Sequence, residues 1–226
     1  MVAGVELLPH HEVPGHEPSS RGNDTHPMRE VTRRAAGLAA DAWHDGTRRK
    51  VAELFDALAP EWHTRDTPQR RAVVGDAFDR GVGALGGLRA GARDSSLPLL
   101  GVEIGSGTGT YSAYAAAVVD VAFSMDLSME MLRSAPAGPS QRIAADASRL
   151  PLRDGSVDLL TIINMFLFPD EVDRVLAPGG VLVWVNVSGP DTPIHLSTEE
   201  VVAALPFEVR GVESTAGVGT WCVLRR

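Results

Sequence analysis

The residue types that could do chemistry in this chain gather between positions 97 and 146. Leu97 to Ile104 is an apolar run, followed at once by Gly105, Gly107 and Gly109 and then by the Ala-rich segment Tyr111 to Val119. The pattern predicts a strand, a tight glycine turn and a helix, the layout of a nucleotide-binding crossover. Gly105 and Gly107 let the main chain turn sharply and approach a ligand with no side chain between. The helix behind the turn offers free N–H groups and the positive end of its dipole. Two carboxylates follow, Asp126 at the end of the next predicted strand and Asp146 at the end of the one after. A carboxylate in that position can accept two hydrogen bonds from the vicinal hydroxyls of a ribose. Capping the segment that follows is the alternative role for both. His63 and His195 are the candidate general bases, with a solvated or packing role as the alternative for each.

These groups need a scaffold, and the hydrophobic pattern supplies one. Met1 to Pro27 has four prolines and no apolar period, and reads as a disordered tail whose histidines are solvated. Residues 28–96 read as an N-terminal helical cap or lid, with helices over Glu30 to Trp43, Thr47 to Leu58 and Pro68 to Leu85. Asp45 is the expected cap of the second helix and Thr67, before Pro68, of the third. Residues 97–226 alternate strand and helix. The predicted strands are Leu97 to Ile104, Asp120 to Met125, Gln141 to Ala145, Val157 to Ile163, Val181 to Val187, Pro206 to Glu213 and Gly219 to Leu224. Val157 to Ile163 is apolar apart from Asp158 and Thr161, as expected of a strand covered on both faces. The last two strands are joined by Ser214 to Gly217 as a hairpin. The expected fold is α/β and Rossmann-like: a mostly parallel seven-stranded sheet, helices on both faces, a terminal antiparallel hairpin and the helical cap.

Composition narrows the function classes. The net charge is −8, and residues 101–226 carry 15 acidic against 8 basic side chains. That argues against a large phosphate-backbone footprint, and so against nucleic acid as the substrate. No apolar run reaches the roughly 20 residues that a membrane span requires. One cysteine, Cys222, excludes an internal disulfide framework and a thiolate metal cluster. No metal site is expected, and a cytoplasmic location is the default.

The order of features resembles the class I S-adenosylmethionine-dependent methyltransferase family, over about residues 97–226. Gly101 to Gly109, GVEIGSGTG, is similar to the family's first motif, V-L-D-x-G-x-G-x-G, with Glu103 at the usual aspartate. Asp126 in SMDLSMEML stands at the family's acidic position after the second strand, and Asp146-Ala147 at its Asp-Ala pair after the third. Asp154 to Leu160 is similar to D-x-S-F-D-x-V, and Leu176 to Trp184 to the turn and strand that follow. Leu54 to Trp62, LFDALAPEW, is also similar to the FDxxAxxYD entry segment of small-molecule and quinone-methylating members. Trp62 and His63 stand there in place of Tyr-Asp.

The resemblance implies S-adenosyl-L-methionine as cofactor and methyl transfer to oxygen, carbon or nitrogen of a small molecule by in-line displacement. It implies that Asp126 meets the ribose and that Asp146 and the main chain around Ala147 meet the adenine. Met125, Leu127 and Leu150 would sandwich the ring. Gly105, Ser106 and Gly107 would lie along the amino-acid part, with Glu103 near its ammonium. Asn164, after the fourth strand, stands where the family places groups that contact cofactor or substrate. Trp62 is a candidate to close over the site or to anchor the cap. Phe166 and Phe168 are candidates for an apolar substrate pocket, with core packing as the alternative. Two other functions remain open: a catalytically silent cofactor-binding partner protein, and a nucleic-acid methyltransferase, disfavoured by weak arginine clustering and by the lack of an N-P-P-Y motif. Monomer and homodimer are not distinguished.

Overall fold

The computed structural model describes residues 2–17, 43–91 and 96–226. The predicted helix over Glu30 to Trp43 lies, apart from Trp43, outside them. Eight strands form one sheet rather than the seven expected. In chain order they are β1 (Val5–Leu7), β2 (Leu100–Ile104), β3 (Val121–Asp126), β4 (Gln141–Ala144), β5 (Val157–Ile163), β6 (Leu176–Asn186), β7 (Arg210–Ala216) and β8 (Gly219–Arg225). Their order across the sheet is β1-β7-β8-β6-β5-β2-β3-β4. Only β8 runs against the others, pairing antiparallel with both β6 and β7. The hairpin turn falls at Gly217 and Val218, later than the pattern suggested. Ser214 and Ala216 are buried by β7's alternation, so that polar-looking stretch continues the strand.

The extra strand is β1, inside the stretch read as a disordered tail. It adds parallel to the free edge of β7, with Val5 opposite Gly211 and Leu7 opposite Glu213. Main-chain groups make this contact, so three residues suffice and leave no readable period. Farther on, the His11 N–H donates to the Thr215 carbonyl at 2.9 Å, and the Gly217 N–H to the His11 carbonyl at 2.8 Å. The side chains then converge on Asp76. Arg80 donates Nε and Nη2 to its two oxygens at 2.7 Å each, Trp221 donates its indole N–H at 2.9 Å, and His11 Nδ1 lies 2.5 Å away. Burial opposes ionisation of Asp76, but these hydrogen bonds outweigh it and hold its pKa below the ordinary carboxylate value.

The described helices are α1 (Asp45–Leu58), α2 (Pro68–Asp76), α3 (Ser112–Ala116), α4 (Met129–Ser134), α5 (Pro169–Val175) and α6 (Thr198–Ala204). His44, not Asp45, caps α1: its ring accepts from the Gly46 and Thr47 N–H groups. Thr67 caps α2 as expected, and Ser197 and Glu200 form a reciprocal capping box on α6. A 3₁₀ segment, Ala59–Arg65, joins α1 to α2, and a π turn, Ala77–Val82, extends α2.

Strand alternation separates two cores. Val181, Val183 and Val185 face the one that α2 covers, with Val73, Val74 and Phe78. Leu182 and Trp184 face the other, with Val51 of α1, Val172 of α5 and Val201 of α6. Chain progression from β2 to β3 and from β5 to β6 runs in opposite directions across the sheet. The crevice beyond the carboxyl ends of β2 and β5 is therefore the switch point at which such sheets bind ligands.

The Asp76 cluster predicts one stability outcome. Asp76→Ala leaves the Arg80 guanidinium and the Trp221 N–H without their acceptor, and should cost about 3 kcal/mol in urea unfolding. A loss under about 1 kcal/mol would show that the cluster does not hold the N-terminal segment to the sheet.

Candidate active site

At the switch point lies a cleft of about 890 Å³, counted out to open solvent. Its floor is the turn between β2 and α3. Gly105 and Gly107 have φ of 67° and 55°, a region that side chains disfavour. A Cβ at Gly105 would collide with Met165, and one at Gly107 would lie 3.1 Å from the Trp62 ring nitrogen. Gly105 therefore needs glycine for space as well as for conformation, and Gly107 for conformation, with Trp62 close above it. The Ser106 hydroxyl is buried here without a hydrogen-bond partner. A group left in that state is costly unless a ligand satisfies it.

Asp126 ends β3 beside this turn. Its Oδ2 accepts the Gly107 N–H at 2.7 Å and its Oδ1 the Ser128 N–H at 2.8 Å. The carboxylate is thereby fixed in direction and keeps lone pairs on both oxygens. Burial raises its pKa, and the two N–H bonds oppose that rise. Met125, Leu127, Ala147 and Leu150 line the cleft beyond it and make the wall apolar.

Glu103, in β2, is fully buried, and Oε2 accepts the Ser112 hydroxyl. Ser124 donates in turn to Ser112 at 2.9 Å. Burial pushes the Glu103 pKa up to about 7, the Ser112 bond pulls it back, and the Asp126 charge adds to the rise. A cation entering the cleft would meet a carboxylate that ionises near neutral pH.

Asp146 does not stand free. Oδ1 accepts from the Ser148 N–H at 2.9 Å and the Ser148 hydroxyl at 2.8 Å. The Trp43 indole N–H spans both oxygens, 3.1 Å from Oδ1 and 3.3 Å from Oδ2. The Trp43 ring packs on Phe166 and Phe168 at centroid distances of 5.5 and 5.1 Å. Sequence reasoning missed Trp43 as a cleft residue. Its only signal is a large aromatic with an N–H donor at the end of a predicted helix.

The structure disperses the remaining candidates. Asn164 lines the cleft, and its φ of 49° places it in the left-handed region. Its Oδ1 accepts the Val187 N–H at 2.9 Å, which ties the ends of β5 and β6 together. Phe166 lines the cleft, whereas Phe168 is core, packed against Trp43 and Phe166. Trp62 lines it, with Phe55 against one edge at 5.7 Å and the Arg65 guanidinium 4.7 Å over its ring. The two histidines are elsewhere. His63 is exposed on the 3₁₀ segment, with Nδ1 3.1 Å from the Pro60 carbonyl, beside a neighbouring cavity that shares Ser106, Gly107 and Thr110 with the cleft. His195 is half-buried in the loop before α6 and does not line the cleft. Neither is placed to act as a base on a molecule bound there.

A methyltransferase-domain signature matches residues 102–184. Demethylmenaquinone methyltransferase of Paenarthrobacter aurescens (strain TC1) is 34% identical over 187 residues, spanning 73% of this chain and 66% of that protein. The Renibacterium salmoninarum protein of the same name is 34% identical over 181 residues, 70% of this chain and 68% of its own length. The chain belongs to the class I S-adenosylmethionine-dependent methyltransferase family. A crystal structure of such a methyltransferase from Aquifex aeolicus superposes with a TM-score of 0.54 at 19% identity, over 74% of this chain and 97% of that one. That likeness concerns the fold.

The methyltransferase cleft suits this family's cofactor on its own geometry. It offers a fixed carboxylate with spare lone pairs, an apolar wall, glycines that permit close approach and an orphaned serine hydroxyl. The cofactor carries no phosphate, so the glycines serve approach rather than anion binding.

Glu103 generates a pH prediction. Its folded pKa is raised from an ordinary value near 4.5 to about 7, so its contribution to stability is complete below the lower value and is lost as pH rises through the upper one. At pH 8, cofactor-free Glu103→Gln should be more stable than wild type by about 3 kcal/mol, and the gap should close below pH 5. Parallel stability curves for the two proteins between pH 5 and 8 would refute the burial of an ionisable Glu103.

Proposed function

We propose that this chain transfers the methyl group of S-adenosylmethionine to a ring carbon of a small, apolar aromatic acceptor, a quinol of the naphthoquinone type. The observation that carries the reading is the meeting of two cavities. Beside the cofactor cleft lies a second cavity of about 1410 Å³, counted out to open solvent. Its walls include Leu54, Phe55, Leu58, Trp62 and Ile194, with Arg65 and Arg70 among its few charges. Phe55, Trp62, Thr110, Tyr111, Asn164 and Ile194 line both spaces. A donor in one and an acceptor in the other would face each other across these six residues, the alignment that an in-line displacement requires. The two relatives are named for demethylmenaquinone, and an apolar, aromatic-lined chamber is the kind of space that such a ring would fill.

In this reading Asp126 accepts from the ribose hydroxyls, and Met125, Leu127, Ala147 and Leu150 enclose the adenine. Asp146 receives the adenine amino group on the oxygen that Ser148 leaves open, as Trp43 yields it. Gly105, Ser106 and Gly107 lie along the amino acid, and Glu103 balances its ammonium. Trp62 closes the cofactor mouth from the 3₁₀ segment, and Phe166 supports Trp43. Bound S-adenosylmethionine supplies an electrophilic methyl on a sulfonium. In the transfer the S–C bond breaks onto sulfur, a C–C bond forms at the ring and the displaced ring proton leaves to solvent. The reduced ring is the reactive form, because the quinone is too electron-poor to attack. The chain's task is alignment and exclusion of water. No helix among the described residues is long and apolar enough to cross a membrane, so an isoprenoid acceptor would be met at a lipid surface or through its ring alone.

The test is transfer of tritium from methyl-labelled S-adenosylmethionine to a short-chain 2-prenyl-1,4-naphthoquinol kept reduced under anaerobic conditions. Label should enter the organic extract with the quinol and not with the oxidised quinone. Label carried equally by both forms, or by neither while a catechol or amine accepts it, would overturn the quinol assignment.

A further inference from the structure

Of the six residues shared by the two cavities, Tyr111 carries a hydroxyl that no described residue uses. It follows the glycine turn directly and precedes α3, so the turn sets its main chain while its ring stands between cleft and chamber. The ring packs at the edge of the α2-side core, but the hydroxyl makes no hydrogen bond with any described residue. Tyr114, one turn later, shows the contrast: its hydroxyl donates to the Arg71 carbonyl at 3.1 Å. Tyr111 lines both cavities, so its hydroxyl is available to a molecule bound there. Asn164 and Thr110, also at the junction, are each engaged at one atom. Asn164 spends its oxygen on Val187, and Thr108 and Thr110 lie 3.3 Å apart, hydroxyl to hydroxyl.

The surroundings also say which form of Tyr111 is present. Burial pushes its pKa up to about 12; of its charged neighbours, Arg70 and Arg71 oppose this, and Asp66 and Glu103 add to it. At neutral pH it is therefore an O–H donor, not a phenolate. It cannot serve as a base, but it can donate to an oxygen of a bound molecule.

We infer that the Tyr111 hydroxyl holds the acceptor, donating to a ring oxygen so that the adjacent carbon faces the methyl group. This rests on the quinol reading above and sharpens it: the recognised feature is an oxygen one bond from the nucleophilic carbon. It also assigns the chamber's polarity. The oxygen belongs at the cleft end, and the apolar remainder lies toward Leu54, Leu58 and Pro193.

The experiment compares wild type with Tyr111→Phe in the presence of saturating S-adenosylhomocysteine, with 1-naphthol and naphthalene as calorimetric probes. Wild type should bind 1-naphthol about threefold to tenfold more tightly than naphthalene, the value of one neutral hydrogen bond. Tyr111→Phe should lose that preference while binding naphthalene and S-adenosylhomocysteine as wild type does, and with an unchanged melting temperature. With the prenyl-naphthoquinol, kcat/KM should fall by at least the same factor. If both probes bind wild type and Tyr111→Phe keeps its preference for 1-naphthol, Tyr111 is not the donor and the quinol reading stands. If neither probe binds wild type, the aromatic chamber reading fails and takes the Tyr111 assignment with it.

Discussion

The hydrogen bond from the Gly107 N–H to Asp126 Oδ2, at 2.7 Å, joins the two features on which the cleft depends. One is a turn that exists only because glycines take positive φ; the other is a carboxylate at the end of the neighbouring strand. A second tie, the Ser106 N–H to the Met125 carbonyl at 3.0 Å, runs beside it. Together they lock the ends of β2 and β3 into one rigid corner. The corner excludes side chains from its floor, and it aims a half-buried anion into the cleft. Burial makes that anion expensive, and its N–H partners offset part of the expense. A ligand with paired hydroxyls would add to the same set of bonds. The site is thus preorganised by the main chain, which does not relax when a substrate leaves.

The cap elements answer a different need. The corner says what donor fits but nothing about the acceptor. α1 and the 3₁₀ segment bring Phe55 and Trp62 over the cleft mouth, and the loop before α6 brings Ile194 from the opposite side. These pieces enclose the chamber, and Tyr111 links it to the corner. In the proposed reading, recognition of donor and acceptor is divided between the sheet and the elements that cover it, with one shared boundary.

Legibility from sequence followed the same division. The parallel sheet was readable because β5 and the 181–185 stretch of β6 are mostly apolar, and a buried strand can be little else at that length. The glycine turn, Asp126 and Asp146 were readable because local main-chain geometry restricts what stands there. β1 was not, since an edge strand recruited by main-chain bonds needs no side-chain pattern. Nor was the turn position in the β7–β8 hairpin, because Ser214 is polar yet buried against Arg80 and the Pro9 carbonyl. The histidines misled for a related reason. Residue type marks what a group can do, but only packing decides whether it reaches the cavity, and His63 and His195 do not. Tyr111 and Trp43 reach it with less conspicuous chemistry.

The central claim is that the corner formed by Gly107 and Asp126 binds the nucleoside of a methyl donor. Calorimetric titration with S-adenosylhomocysteine, of wild type and of Asp126→Ala checked for native circular dichroism, tests it most directly. The account predicts saturable one-site binding by wild type and at least tenfold weaker binding by the variant. Equal affinity in the two proteins, or no binding by wild type, would contradict it.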